Sequence, residues 1–343
     1  MREVDVLIIG AGPAGSVCGY LLKKEGVDCL IVDFASFPRE KVCGGGLTPK
    51  AWRLLESLIP HLKYDYLPVN RLRLQFENDP VCEFNSEFEL RMTQRKEFDY
   101  TLLKNYQEAG GEFVQDAFAK YEELSDGRIL VTLKSGTQLS CRYLVAADGA
   151  NSRVRRQMFG PYKSNILFME QYVEPTTPSE IYIHFSREHI LGGFYKFPGP
   201  GRDIYGYGGP GNNRDYFRQL LEKFGVPATH FIGANIPMEV KMSENEHIIL
   251  IGDAGGYPNR ITGEGLYDAF KTAYNAKRAI VENIPFWETN RAECEKMKSQ
   301  EKLYKFASTK IGYITLRFAL RHPSIFKWMF DAKMKRETFR ERK

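Results

Sequence analysis

A chain of 343 residues, 43% hydrophobic and 27% charged, has ample material for a folded core, which excludes a disordered polymer and a small disulfide-stapled scaffold. The net charge of +5 is modest, and residues 333–343 carry six basic and two acidic side chains, a net of +4. No nucleic-acid partner is expected from so confined a charge, and the tail reads as a solvated helix end or a patch for peripheral membrane contact.

The six cysteines, at 18, 29, 43, 82, 141 and 294, form no C-x-x-C pair and no zinc spacing, so free thiols in a reducing compartment and no metal are expected. No stretch reaches the ~18 apolar residues of a spanning helix. The opening apolar run follows acidic residues and continues into a strand, unlike a signal peptide. A cytoplasmic location is expected, membrane-associated if the basic tail meets lipid.

In chain order, a strand over 4–9 leads into Gly10-Ala11-Gly12-Pro13-Ala14-Gly15, a helix through Lys24, and a second strand ending on Asp33. Gly10 allows a tight turn, Gly12 a close backbone approach to a pyrophosphate, and Gly15 close helix–sheet packing, while the helix N-terminus offers N–H groups to phosphate. Asp33 is placed to accept ribose hydroxyls. Strand, fingerprint, helix, strand and terminal acid in one ~30-residue unit indicate a dinucleotide site.

Next come Lys41-Val42-Cys43-Gly44-Gly45-Gly46-Leu47, a glycine-rich loop suited to a flat or anionic ligand, and Thr48, expected to cap a helix beginning at Pro49. Residues 68–95 alternate as antiparallel strands, and Arg95-Lys96-Glu97-Phe98-Asp99 opens a helix. Strands are expected over 113–119 and 128–133. Residues 143–155 deliver Asp148-Gly149 and then a helix capped by Ser152. Residues 163–240 return to strand patterns rich in aromatics, among them Tyr195, Phe197, Tyr205 and Tyr207, which form a sheet face or line a substrate cavity. His189, a lone histidine there, reads as a surface or sheet residue. A last strand runs into Gly252-Asp253, and Thr262-Gly263-Glu264-Gly265-Leu266 starts a helix to about residue 282. The rest is helical and basic.

These blocks together resemble the FAD-dependent oxidoreductases related to p-hydroxybenzoate hydroxylase, and within them the geranylgeranyl reductase family. The resemblance covers about residues 1–285. It implies an α/β fold: a Rossmann-like FAD-binding domain with a central parallel sheet (1–66, 96–155, 243–286), an inserted antiparallel-sheet substrate domain (67–95, 156–242), and a helical basic C-terminus (287–343). It implies FAD as cofactor, contacted by Gly10, Gly12, Pro13, Ala14, Gly15, Asp33, Cys43, Gly44, Gly46, Arg95, Ala119, Asp148, Asp253, Gly265 and Leu266. The electron donor stays open between NAD(P)H and ferredoxin, with no second nicotinamide fingerprint in the chain.

Two departures bear on the substrate. The family's tyrosine-x-tryptophan-x-phenylalanine-proline motif is here Gly193-x-Tyr195-x-Phe197-Pro198, which reshapes the cavity, and its asparagine-proline is Asn259-Arg260, which brings a guanidinium toward the flavin. Tyr195, Phe197 and Tyr207 are candidate substrate contacts, with Cys43 and Arg260 candidates at the reacting centre. The expected activity is reduction of a carbon–carbon double bond in an isoprenoid or other hydrophobic small molecule. Flavin-dependent hydroxylation of an aromatic or hydrophobic molecule is one alternative. A non-catalytic, flavin-bound membrane-surface protein is another.

Overall fold

The computed structural model describes residues 1–186, 193–209, 213–307 and 309–340. Its first half runs β1 (Arg2–Ile9), α1 (Pro13–Lys24), β2 (Cys29–Asp33), β3 (Gly46–Leu47), α2 (Pro49–Leu58), β4 (Leu67–Phe76), β5 (Cys82–Met92), α3 (Arg95–Glu108), β6 (Glu112–Gln115), β7 (Phe118–Glu123), β8 (Ile129–Leu133), β9 (Gln138–Ala146) and α4 (Arg153–Phe159). The second half runs β10 (Asn165–Val173), β11 (Ile181–Phe185), β12 (Gly193–Gly199), β13 (Arg202–Gly208), α5 (Arg214–Lys223), β14 (Ile232–Pro237), β15 (Ile248–Leu250), α6 (Leu266–Glu282), α7 (Phe286–Thr289), α8 (Arg291–Ala307), α9 (Lys310–Leu320) and α10 (Pro323–Arg340). His189 lies outside the described residues, as do the last three residues of the basic tail.

Strands apolar on both faces belong in a parallel sheet covered on both sides. β1, β2 and β9 have that character and pair in parallel in the order β6-β2-β1-β9. β9 serves two partners on its far edge, β8 antiparallel through residues 138–141 and β15 parallel through 144–146. Helices α1, α3 and α6 cover one face, where Val6, Ile8, Leu22, Phe98 and Phe270 form one core. The parallel strands send their C-terminal ends to a common edge, where Gly10, Asp33, Asp148 and Asp253 leave the sheet. That edge is where ligands bind in open α/β sheets.

The second sheet, β14-β10-β13-β12-β11-β4-β5-β3, is antiparallel except for β4 beside β11. Period-two alternation sorts its side chains. Phe194, Tyr205 and Tyr207 pack beneath α5 against Phe217 and Leu221, which leaves Phe168, Glu170, Tyr195 and Phe197 on the opposite face. Helices α9 and α10 cover the far end, where Leu320, Phe326 and Phe330 meet Leu74 and Phe84.

Three local expectations change. The strand expected over 113–119 is two strands, because Asp116 turns the chain: its carboxylate accepts from the Ala117 N–H at 2.7 Å and its own N–H donates to the Asp33 carbonyl. The strand-like stretch 163–240 contains α5, nucleated by Asn213, whose side chain accepts from the N–H groups of Asp215 and Tyr216, and by an apolar stripe of Phe217, Leu220 and Leu221. Thr48 does stand at the N-cap of α2, but its hydroxyl donates to Glu264 instead of capping the helix.

Candidate active site

The nucleotide end is built from glycines with distinct duties. Gly10 has φ +109°, and a Cβ there would lie 2.4 Å from the Ala147 carbonyl oxygen. A Cβ at Gly15 would lie 1.9 Å from the Gly10 carbonyl oxygen, so helix and strand close only without one. Gly12 differs: its Cβ would meet only an Arg39 nitrogen at 3.6 Å, leaving its outer face open beside the start of α1. Pro13 supplies the first turn, where a missing N–H costs nothing, and Ala14 follows it. Asp33, buried, accepts from the Ala11 N–H at 2.7 Å and from the Ala35 N–H at 2.9 Å, and this clamps the glycine turn. Four lone-pair sites on a carboxylate leave acceptor capacity for a ribose.

The glycine-rich loop is pinned at both ends. Gly45 has φ +70° and lies against Thr93, whose N–H and hydroxyl both donate to the Gly45 carbonyl at 2.9 and 3.0 Å. Gly46 opens β3, which pairs with β5. A Cβ at Gly44 would fall 2.3 Å from the Phe197 ring, so the loop is pressed onto the second sheet. Cys43, half-buried, accepts from the Gly45 N–H at 3.4 Å through sulfur. The Arg95 guanidinium faces that sulfur while Asp99 holds it in a two-point grip at 2.7 and 2.9 Å. Burial pushes the Arg95 pKa down, but the Asp99 carboxylate and Cys43 outweigh it, and the group is held charged. Arg39 adds a second cation to Asp99 at 3.4 Å.

At the same edge of the sheet, Asp148 caps α4 by accepting from the Arg153 N–H at 2.7 Å, and its other oxygen is buried without a partner. Ser152 caps the same helix as expected, accepting from the Arg155 N–H. Arg155 is fully enclosed, stacked 3.3 Å over Tyr162, whose hydroxyl donates to the Asp253 carbonyl at 2.6 Å. The Asp253 carboxylate lies at the start of α6, 3.4 Å from where a Cβ on Gly265 would sit. Burial raises its pKa, opposed by Lys41 and Arg95. Gly265 and Leu266 are the N-cap and first residue of α6, so their end of the helix offers positive potential. Ala119 falls at a register shift between β7 and β8, where ladder pairing is interrupted and backbone groups are left for another partner.

The opposite wall pairs Tyr195, a candidate from the sequence, with Glu170, which sequence reasoning missed. Glu170 on β10 and Tyr195 on β12 both lie in register with Gly206 on β13 between them. The Tyr195 ring occupies the space a side chain at 206 would need, with its Cζ 2.0 Å from a Cβ built there. Its hydroxyl donates to Glu170 Oε1 at 2.6 Å. Glu170 is 1% exposed, its Oε2 has no hydrogen-bond partner, and the Cys43 N–H and Lys41 lie on its loop side. Burial raises the Glu170 pKa, opposed by the Tyr195 hydroxyl, the Cys43 N–H, Lys41 and Arg202, and burial beside Glu170 raises Tyr195 well above the usual phenol range. The available signal was an acid directly after the continuous apolar run 166–169.

Phe197 stands 4.6 Å from the Tyr195 ring and extends the same face to the Cys43 loop. Arg202 stacks 3.8 Å over Tyr172 and pairs with Glu40 at 3.0 Å, which ties the loop to the sheet. Tyr207 does not line this face. It is buried on the other side, stacked on Phe217 at 6.0 Å, because alternation on β13 puts residue 207 opposite to 206. Nor does Arg260 reach toward this wall: its guanidinium pairs with Glu301 of α8 at 3.0 Å and its N–H donates to Gln300 at 3.2 Å.

Residues 3–180 match the FAD binding domain family. The chain belongs to the FAD-binding flavoproteins. It is 30% identical over 308 residues to an uncharacterized protein of Methanosarcina barkeri, covering 83% of this chain and 76% of that one. It is 28% identical to the menaquinone reductase of Mycobacterium tuberculosis (77% of this chain, 73% of that one) and 28% identical to digeranylgeranylglycerophospholipid reductase 1 of Methanopyrus kandleri (82% and 81%). Among solved structures, a geranylgeranyl bacteriochlorophyll reductase-like protein from Thermoplasma acidophilum superposes with TM-score 0.73 at 19% identity, covering 96% of this chain and 99% of that one. PqsL of Pseudomonas aeruginosa, a probable FAD-dependent monooxygenase, gives 0.71 at 18% identity, with coverage of 96% and 100%. The flavoprotein therefore has the Rossmann-like α/β fold of this group together with geranylgeranyl reductase homologues.

The cradle fits FAD. The open face of Gly12 beside the α1 N-terminus suits a pyrophosphate, and Asp33 retains acceptor sites for the ribose. The unpaired Asp148 oxygen, Asp253 and the α6 N-terminus suit the rest of the chain toward the flavin ring.

Proposed function

We propose that this flavoprotein reduces a carbon–carbon double bond in a hydrophobic substrate of the isoprenoid class. The observation that carries the reading is the buried Glu170–Tyr195 pair facing the Cys43 loop. Saturating an alkene takes one hydride and one proton. Reduced FAD supplies the hydride when bound, and the protein's part is to bring the proton and exclude water. Protonated Glu170 keeps Oε1 engaged by the Tyr195 hydroxyl and presents its proton at Oε2, the unpartnered atom. In that step the O–H bond at Oε2 would break as a C–H bond forms on one alkene carbon, the other carbon taking the hydride that reduced FAD would supply, and Glu170 would be reprotonated once product leaves and water re-enters. Phe168, Tyr195 and Phe197 give an apolar wall for the substrate, and Cys43 sits between that wall and Arg95.

The decisive measurement is single-turnover reoxidation of anaerobically photoreduced enzyme. Addition of a polyprenyl alkene without oxygen should restore the oxidised flavin spectrum and yield the saturated product. Reoxidation only on admission of oxygen, with a hydroxylated product, would establish the monooxygenase instead. Flavin that no alkene reoxidises without oxygen, and oxygen reoxidises with no product, would leave the flavin-bound non-catalytic protein.

A further inference from the structure

Helix α9 carries apolar side chains on two faces, with Arg317 between them paired to Asp79 at 2.6 Å. Leu316 and Leu320 pack on β4 and β5, while Ile311, Ile314 and Phe318, spaced i, i+3, i+7 on the other face, are 68%, 54% and 57% exposed. α10 repeats the pattern: Phe330 is packed on the sheet, and Ile325, Trp328 and Met329 are 45%, 71% and 48% exposed. A helix with two apolar faces is stable only when both are covered. An exposed apolar patch rimmed by charge marks an interaction surface.

The charge says what covers it. Residues 291–337 hold twelve basic and five acidic side chains, a net of +7 where the whole chain has +5; Arg317 and Arg321 pair with Asp79, and Lys296 with Asp268, outside that span, which still leaves an excess of cations. Lys302, Lys310, Lys335 and Arg336 are exposed on the same three C-terminal helices. A two-fold contact with a second copy sets a patch against itself, which here opposes cation to cation. An anionic lipid surface meets both requirements, with the apolar side chains entering the acyl boundary, Trp328 at headgroup level and the lysines on phosphates. No described helix is long and apolar enough to cross a membrane.

We propose that the exposed faces of α9 and α10 form a monotopic docking surface for an anionic bilayer, with the protein lying on the lipid through Ile311, Phe318 and Trp328. The same helices are fastened to the active site, since Glu337 of α10 pairs with Lys50 at 3.3 Å and Lys50 with Glu264 at 2.9 Å, ahead of α6. Docking therefore sets the Cys43 side of the molecule at a fixed attitude to the membrane. The inference rests on surface chemistry and stands apart from the reaction proposed above.

Co-sedimentation of the full chain with vesicles of phosphatidylcholine, alone and mixed with phosphatidylglycerol, tests it. The protein should bind the mixed vesicles, and binding should fall at least about tenfold in Phe318→Glu/Trp328→Glu, whose side chains are 57% and 71% exposed. Lys310→Glu/Lys335→Glu should weaken binding to mixed vesicles at low salt and converge on the parent at high salt. Equal FAD content in all variants shows that the fold is intact. No sedimentation of the parent with mixed vesicles, or unchanged binding by the Phe318/Trp328 variant, overturns the proposal. So does a parent that light scattering finds dimeric and that this variant makes monomeric, which would assign the face to a second copy.

Discussion

The Tyr195 hydroxyl reaches Glu170 at 2.6 Å because residue 206, lying between them in register, has no side chain. One glycine in a strand thus creates both the room for the ring and the buried Glu170–Tyr195 pair on which the proposed reaction rests. A β-carbon there falls within 2.3 Å of the hydroxyl oxygen.

Gly206→Ala should lose stability by about 1–3 kcal/mol, the cost of overpacking a closed site. The origin can be isolated by a double-mutant cycle, since in a Tyr195→Ala background the added methyl enters vacated space and should be nearly neutral. Equal costs in both backgrounds would place the effect in the backbone.

Glu170→Gln should leave FAD content and flavin photoreduction intact and slow alkene-dependent reoxidation by about a hundredfold or more, the scale of a lost general acid. Glu170 is raised by burial, so in the parent the step should be fast at low pH and decline as pH rises through its pKa. The Gln variant should lose that decline. Tyr195→Phe should keep a decline but move it, since the hydroxyl that stabilises the carboxylate is gone.

The two fingerprint glycines should part company. Gly15→Ala places a methyl 1.9 Å from a backbone carbonyl and should abolish folding, whereas Gly12→Ala has space and should give a folded, FAD-depleted protein. Circular dichroism together with flavin absorbance separates the two outcomes.

Asp268, buried on α6 beside Lys296 at 2.6 Å, is pushed up to about 7, by burial first and then by Glu293, against Lys296. Between the unfolded carboxylate range and 7 the folded state binds more protons than the unfolded chain, so stability should fall as pH rises through that window. Asp268→Asn should flatten the slope of melting temperature against pH between about 5 and 8. A slope that persists unchanged would put the titration on another group.

Arg260→Ala tests whether that cation serves the flavin or the helix. Its partner Glu301 is 43% exposed, so the pair should be worth about 1 kcal/mol or less. Alkene-dependent reoxidation should stay near the parent rate. A large rate loss with unchanged melting would return Arg260 to the reacting centre.

Much of this was legible in the chain because the cofactor end is a local grammar. A strand, three glycines at fixed spacing, a helix and a terminal acid lie within residues 4–33, and the Gly15–Gly10 packing and the Asp33 clamp on the Ala11 N–H are made inside that unit. The Ser152 cap and the start of α6 at Leu266 are likewise local. Pairings across the fold were not legible. Glu170 meets Tyr195 twenty-five residues on and lies beside Cys43, far earlier in the chain, only because the second sheet presses on the glycine loop through Phe197 and Gly44. Tyr207 and Tyr195 look alike as aromatic residues in strands. Register alone sends one beneath α5 and the other to the active face, and register is a property of the paired strands. The same holds for Arg260, whose charge is claimed by Glu301 on a helix that composition could place nowhere in particular.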